Sequence, residues 1–132
     1  MKRIFRSLIA FLFLALVCTA GLDAQQKKTF TGMEKHDVTL DAAKKMVKKQ
    51  NAKAKKGAVK GGLFGRNVIE KIFAQPGCVG LRLYYAQTAK GAPTIVIVGV
   101  DSTGTDLTSG VLAEDMFPCP PYCGTVSALQ RK

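Results

Sequence analysis

The chain has 132 residues, with 20 Lys and Arg against nine Asp and Glu, one His, four Cys and no Trp. This length allows one small domain and excludes a multidomain enzyme. The single histidine, His36, excludes His-rich metal sites and leaves any His-dependent catalysis to that one residue. Hydrophobic residues make up 47% of the chain, but many lie within residues 1–24, so the ordered core must be small.

Residues 1–24 have the order of a secretory signal peptide. Three basic residues precede an apolar run at 8–17, and small residues offer cleavage sites near Ala20 or Ala24. The apolar run is shorter than the roughly 20 residues that span a bilayer. No second run of that length follows, so we expect an exported mature protein, periplasmic or extracellular, with no transmembrane span.

Cys18 offers an alternative, a lipoprotein that is acylated on this cysteine. Bacterial lipoprotein signals usually place a small residue directly before the cysteine, whereas this chain has Val17. The sequence therefore favours a cleaved signal peptide over lipidation.

The positive charge is concentrated in one half of the chain. Without residues 1–24, which hold three basic residues and one acidic residue, 17 basic and eight acidic residues remain. Residues 25–75 carry 13 basic and four acidic residues, whereas 76–132 carry four of each. This asymmetry predicts a basic arm beside a neutral body.

Residues 25–61, here called the lysine-rich segment, are predicted to form a linker and an amphipathic helix. Residues 25–38 are polar and lack a period, which is typical of a mobile linker. A helix is predicted from its N-cap Thr39 to a stop at Gly57. Its thin apolar stripe contains Ala43, Met46, Val47, Gln50 and Ala54. The lysines that lie away from the stripe are Lys44, Lys45, Lys48, Lys49, Lys55 and Lys56.

These six lysines have two interpretations. They could attract an anionic partner, such as lipopolysaccharide, an acidic glycan, anionic lipid or nucleic acid, or they could form a solvated face that keeps the protein soluble. No sequence-specific nucleic-acid binding is expected, because no motif of such a domain occurs. The stripe also lacks the bulky side chains that anchor a helix in a membrane interface.

Residues 62–132 are predicted to form a compact α+β domain. A short helix is expected within 63–73, with Asn67 and Glu70 as a capping box. The strand that follows alternates, with one face expected to be buried and the other to present Arg82 and Tyr84. The residues on its buried face are Val79, Leu81, Leu83 and Tyr85.

The next strand, at 94–100, is apolar on both faces and therefore predicted to be central. Weaker elements at 105–108 and near 111–112 complete an antiparallel meander of about three strands, because the connections are short. An irregular Cys- and Pro-rich C-terminal tail follows. Since one helix cannot cover both faces of the sheet, the lysine helix, the tail or a second subunit must cover the other, and a homodimer is a further prediction.

The cysteines that remain after export are Cys78, Cys119 and Cys123. An oxidising compartment favours pairing, and Cys119–Cys123 is preferred if the intervening prolines turn, for example through a cis bond before Pro121. Pairing of Cys78 with either cysteine, and free thiols, stay open. Redox chemistry or a zinc site with His36 are alternatives, although the Pro-Pro pair argues against the helix start that activates a redox thiol.

Several acidic residues are weaker candidates. Asp101 and Asp106 flank a glycine turn, which is either an incomplete calcium loop or a hairpin turn with Asx hydrogen bonds. Glu114 and Asp115 are either a catalytic pair or a solvated loop. Arg82 and Tyr84 could form a partner-binding surface, unless Arg82 pairs with an acid such as Asp101 or Asp115.

Residues 62–124 contain the segments LFGR with IEKI, GCVGLRLYY, VIVGVD and PCPPYCG. In these segments the chain resembles a family of small uncharacterised bacterial proteins. The resemblance implies a single folded unit and transfers no catalytic role. We therefore expect a small, exported, non-enzymatic binding module without a cofactor. A thiol-redox or metal-binding protein that uses Cys119, Cys123 and Cys78 is the alternative.

Overall fold

The computed structural model describes residues 28–129, which contain two helices and four strands. The expected signal peptide and Cys18 lie outside them. The elements in chain order are α1 (Leu40–Asn51), β1 (Gly61–Leu63), α2 (Arg66–Phe73), β2 (Cys78–Gln87), β3 (Pro93–Asp101) and β4 (Phe117–Cys119). The α+β class is therefore confirmed.

Strands β2 and β3 form an antiparallel hairpin that carries the core. Strand β3 is buried on both faces, as its two-sided apolar sequence predicts, and Val98 is almost fully enclosed. Among residues 28–129, isolated bridges cover its second edge, from Val100 to Asp106 and from Ile97 to Ala113. The expected third strand is thus reduced to two bridging residues.

The side chain of Gln75 takes the place of a strand between these bridges. Its Oε1 accepts a hydrogen bond from the Val111 N–H (3.0 Å), and its Nε2 donates to the Val111 carbonyl (3.3 Å). The same Nε2 also donates to the carbonyl of Ile72 (3.0 Å). One amide side chain therefore satisfies the two backbone groups of Val111, which a ladder would otherwise pair.

Helix α2 covers one face of the hairpin. Ile72 is 0% exposed and forms the core with Ile97 and Ala113. The prediction that Leu83 and Tyr85 are buried is wrong, since both are exposed and Tyr85 is 97% exposed. A helix of eight residues is about 12 Å long, whereas a strand of ten extends about 33 Å, so the helix ends before it reaches this part of β2.

The start of α2 also differs from the prediction. The helix begins at Arg66 with Gly65 as its N-cap, and no side chain caps it. Asn67 lies inside the first turn and cannot act as the cap, so the capping box is wrong. Glu70 instead accepts a hydrogen bond from Arg66 Nε (2.5 Å), one turn away.

A second two-stranded ribbon was not expected from the sequence. Strand β1 pairs antiparallel with β4, which places Leu63 opposite Phe117. The Lys60 N–H extends this pairing by donating to the Cys119 carbonyl (2.7 Å). Gly62 lies directly against the Met116 side chain, so a larger residue would collide there. The ribbon therefore joins the lysine-rich segment to the C-terminal tail.

Helix α1 begins as predicted and ends earlier. Thr39 is its N-cap and accepts a hydrogen bond from the Ala42 N–H (3.3 Å). The helix ends at Asn51, and tighter turns lead to Gly57, which has a φ of +80°. No residue of α1 is buried, and Met46 is 65% exposed. Because tertiary packing supplies most of a helix's stability, these lysine-rich turns have little to hold them helical beyond Asn51.

Part of the expected linker packs along the β2–β3 hairpin. The Phe30 N–H donates to the Ser102 carbonyl (2.8 Å), and the Phe30 ring packs against Gly104. Gly32 approaches the Val79 carbonyl with a φ of +77°, a geometry that favours glycine. The prediction of a mobile linker is therefore corrected for residues 28–32, because an aromatic anchor within this polar segment packs on the 101–104 turn.

Candidate functional site

The lysines of the lysine-rich segment are mostly free of ion pairs. Lys44 pairs with Asp41 (3.5 Å), and this contact contributes little because the two side chains are 42% and 86% exposed. The other five lysines named as anion-binding candidates are exposed and form no salt bridge within residues 28–129: Lys45, Lys48, Lys49, Lys55 and Lys56. Their charges are therefore available to a partner in solution.

A cavity of about 390 Å³ lies where α1 ends near the hairpin. Gln50, Lys60, Thr94 and Met116 line it together with other residues of α1, β2 and β3. The Thr94 hydroxyl oxygen is buried and has no hydrogen-bond partner among the described residues. Polar and apolar side chains both line this cavity, which lies at the C-terminal end of α1.

A second cleft, of about 380 Å³, lies between residues 28–36 and the hairpin. His36, Lys28 and Arg82 line it together with Glu34. The Glu34 carboxylate accepts hydrogen bonds from the Thr31 N–H (2.8 Å) and hydroxyl (3.2 Å), and the backbone bond above all lowers its pKa. His36 thus lies beside the sheet, yet residues 28–129 contain no group of three His, Cys, Asp or Glu side chains arranged to hold a metal ion.

The predicted partner-binding pair, Arg82 and Tyr84, is engaged within the molecule. Arg82 forms an ion pair with Asp106 and donates to the Gly104 carbonyl (3.0 Å). The Tyr84 hydroxyl donates to the other Asp106 oxygen (2.5 Å). Hydrogen bonding with Tyr84, followed by the charge of Asp106, raises the pKa of Arg82. An internal acid therefore satisfies Arg82, as the alternative interpretation expected, although neither Asp101 nor Asp115 is that acid.

This network also explains how the second face of the hairpin is covered. Arg82 pairs with Val98 in the β-register, and Asp106 pairs with Val100, so these four residues share one face. Both valines are buried, at 2% and 7% exposure. These polar side chains lie over the face for which the sequence predicts cover by the lysine helix, the tail or a second subunit, and the homodimer stays a prediction.

Asp101 is a turn residue. Its Oδ1 accepts hydrogen bonds from the Thr103 hydroxyl (2.7 Å), the Thr103 N–H (2.8 Å) and the Thr105 N–H (2.9 Å). These bonds, the Thr103 hydroxyl first, lower the pKa of the carboxyl group. The oxygen is thus fully used in an Asx turn, which agrees with the hairpin interpretation of this loop. Asp106 is committed to Arg82 and Tyr84 instead.

Of the three cysteines within residues 28–129, two form a disulfide and one is a free thiol. Cys119 and Cys123 form a disulfide with their Cα atoms 4.8 Å apart, and the prolines between them turn through two cis peptide bonds. Cys78 is a free, half-buried thiol that donates to the Gly80 carbonyl (3.3 Å) and lies against Gly99. The structure therefore confirms the preferred pairing of Cys119 with Cys123 and shows that Cys78 is not paired with either.

Replacing Cys119 and Cys123 together with serine is expected to lower the free energy of unfolding by at most about 2 kcal/mol, because the bridge closes only a short loop. Urea denaturation followed by circular dichroism measures this loss. Intact mass after alkylation of the exported protein should show one modified thiol before reduction and three afterwards, if cleavage has removed Cys18. Three reactive thiols without reduction would contradict the bridge.

An apolar cluster at the end of the ribbon was missed by sequence reasoning. Leu63 and Phe117 lie opposite each other, and the Tyr122 ring meets the Phe117 ring edge-on with centroids 5.4 Å apart. Leu63 was assigned to a helix and the other two residues to an irregular tail. No local pattern reveals the cluster, because it depends on pairing between segments that are distant in sequence.

Comparison with known proteins gives no relative from which to transfer a role. No protein-family model matches the chain, and neither the curated proteins nor the solved structures contain a significant match. Within residues 28–129, no helix is long and apolar enough to cross a membrane. The functional argument therefore depends on this chain's own charges and contacts.

Proposed function

We propose that this chain is an exported, non-enzymatic binding module of the bacterial cell envelope whose lysine-rich segment binds anionic partners. Export rests on the signal-peptide pattern of residues 1–24. One structural observation carries the binding role: α1 holds a row of exposed, unpaired lysines and buries none of its own residues. A helix that adds so little to the core leaves its lysine surface free for a partner.

The alternative, a thiol-redox or metal-binding protein, has less support. Redox pairs of the thioredoxin type lie at a helix N-terminus, where the dipole lowers the pKa of one thiol. Cys119 is the last residue of strand β4, and Cys123 lies in the turn that follows it. Cys78 lies in the hairpin and packs against Gly99. The bridge is therefore better explained as a staple that holds the tail to the ribbon.

Binding of the exported protein to inorganic polyphosphate tests the proposal. We expect the logarithm of the association constant to fall linearly with the logarithm of the NaCl concentration, because each bound lysine releases counterions. Replacing three α1 lysines (K45Q, K48Q and K49Q) should weaken binding about tenfold or more at low salt, and should lower the salt slope by about two to three.

The matched control removes the same charge elsewhere. Arg66, Lys71 and Lys90 are all exposed and lie outside the lysine-rich segment. The triple variant R66Q, K71Q and K90Q should retain most of the affinity and of the salt slope. Equal losses in the two triple variants would show that net charge alone drives the interaction, and the assignment to α1 would then be wrong.

A further inference from the structure

The ribbon ends in an exposed apolar tip, which consists of Leu63, Phe117 and Tyr122. Their exposed fractions are 61%, 54% and 62%. Pairing of β1 with β4 fixes Leu63 opposite Phe117, and the disulfide lies within one residue of Tyr122. A small, braced cluster of bulky apolar side chains therefore faces solvent, where it loses the free energy that burial would provide.

Positive charge lies beside the apolar tip. Lys60 directly precedes β1, and its N–H donates to the Cys119 carbonyl within the ribbon. Lys55 and Lys56 are four or five residues earlier, in a turn closed by the Ala58 N–H and the Lys55 carbonyl. Since a residue spans at most about 3.6 Å, the Cα atom of Lys60 lies within about 11 Å of that of Leu63, and those of Lys55 and Lys56 lie within about 29 Å of it. The lysines and the tip thus fit a contact area of at most about 29 Å.

We propose that the apolar tip inserts into the interface of a bilayer that contains anionic lipid, while the neighbouring lysines bind the headgroups. This deepens the proposed function and rests on it, since it names the class of anionic partner. A soluble polyanion would use the lysines but leave the tip in water. A bilayer interface provides negative charge and an apolar layer together, and bulky aromatic and aliphatic residues are the usual anchors there.

Two acidic residues near the tip oppose this contact. Glu114 and Asp115 are exposed and lie just before β4. Neutralising them with E114Q and D115N is therefore expected to strengthen binding to anionic vesicles several-fold. Asparagine suits position 115, because Asp115 has a φ of +65°, which asparagine tolerates. Weaker binding of this double variant would count against the proposed orientation.

The absence of tryptophan from the chain makes a single-residue reporter possible. We would place tryptophan at Phe117 (F117W) and, in a second variant, at Tyr122 (Y122W). The matched control is F73W, because Phe73 is also a half-exposed phenylalanine but lies at the far end of the hairpin, beside Val79. The exported variants would be mixed with vesicles of phosphatidylcholine alone or with 30% phosphatidylglycerol.

We expect the emission of F117W and Y122W to shift to the blue and to be quenched by brominated lipid, only with phosphatidylglycerol present. F73W should change little, even if an uncleaved N-terminus tethers the protein. Equal shifts on neutral vesicles would overturn the role of charge. A shift that grows with protein concentration without vesicles would assign the tip to a second copy of the chain.

The same samples separate this inference from the proposed function. If polyphosphate binding keeps its dependence on the α1 lysines while neither tip reporter responds to vesicles, membrane insertion is wrong and anion binding stands. If the protein binds neither polyphosphate nor anionic vesicles, both are wrong. Serine at Leu63 and Phe117 (L63S and F117S) should lower vesicle affinity about tenfold or more and leave polyphosphate affinity unchanged.

Discussion

Replacing Ile72 with alanine is expected to cost about 2–5 kcal/mol of unfolding free energy, the largest loss we predict for a single core position. Ile72 is fully buried and joins α2 to β3 through its contacts with the core. Its Cγ2 lies close to Gly99, which has no side chain to fill a cavity left by the substitution. The greater helix propensity of alanine offsets only about 0.5 kcal/mol.

Urea denaturation followed by circular dichroism measures the loss. Small domains have a total stability of about 5–15 kcal/mol, so this substitution alone should leave a substantial unfolded population if the chain lies near the lower limit. Valine at the same position (I72V) should cost about 0.5–1.5 kcal/mol. Alanine at the exposed Met46 (M46A) should cost less than about 0.5 kcal/mol. A loss at Ile72 no greater than that at Met46 would show that α2 does not hold the core.

The sequence predicts the elements whose local pattern matches their environment. Strand β3 is apolar on both faces and is buried on both faces. Thr39 caps α1 because a hydroxyl before a helical run satisfies a free N–H, a local interaction that needs no partner elsewhere. The Cys119–Cys123 bridge is also local, since it depends only on a turn through two prolines.

What sequence reasoning missed depends on contacts between distant segments. The local sequence places Leu63 in a helix, whereas its pairing with Phe117 places it in a strand. The sequence gives no prediction for Gln75, because its hydrogen-bond partner Val111 is 36 residues away. The alternation of β2 correctly indicates a strand, but only the length of α2 decides how much of its apolar face is covered. Charge identifies the lysine-rich segment from the sequence, whereas the apolar tip beside it requires the fold.

Replacing Asp106 with alanine is expected to lower the unfolding free energy by about 1.5–3 kcal/mol, because the guanidinium and the phenol would both lose their shared acceptor. The lower half of this range is favoured, since the Arg82 side chain is 39% exposed and its charge is partly screened by solvent. Arg82 also keeps its bond to the Gly104 carbonyl. Tyr84→Phe removes only the hydroxyl and should cost about 1 kcal/mol.

A double-mutant cycle separates the interaction energy of Arg82 with Asp106 from the contribution of the surrounding packing. Methionine at position 82 (R82M) keeps an apolar stem over the valine face but removes the charge. The double variant R82M/D106A should lose about 1 kcal/mol less unfolding free energy than the two single variants lose together. The reason is that the second change removes a group that the first has already left unpaired. This coupling should shrink in 0.5 M NaCl, since salt screens a partly exposed ion pair. Strict additivity would mean that Arg82 and Asp106 are not coupled, and that the Arg82 stem covers Val98 by apolar contact alone.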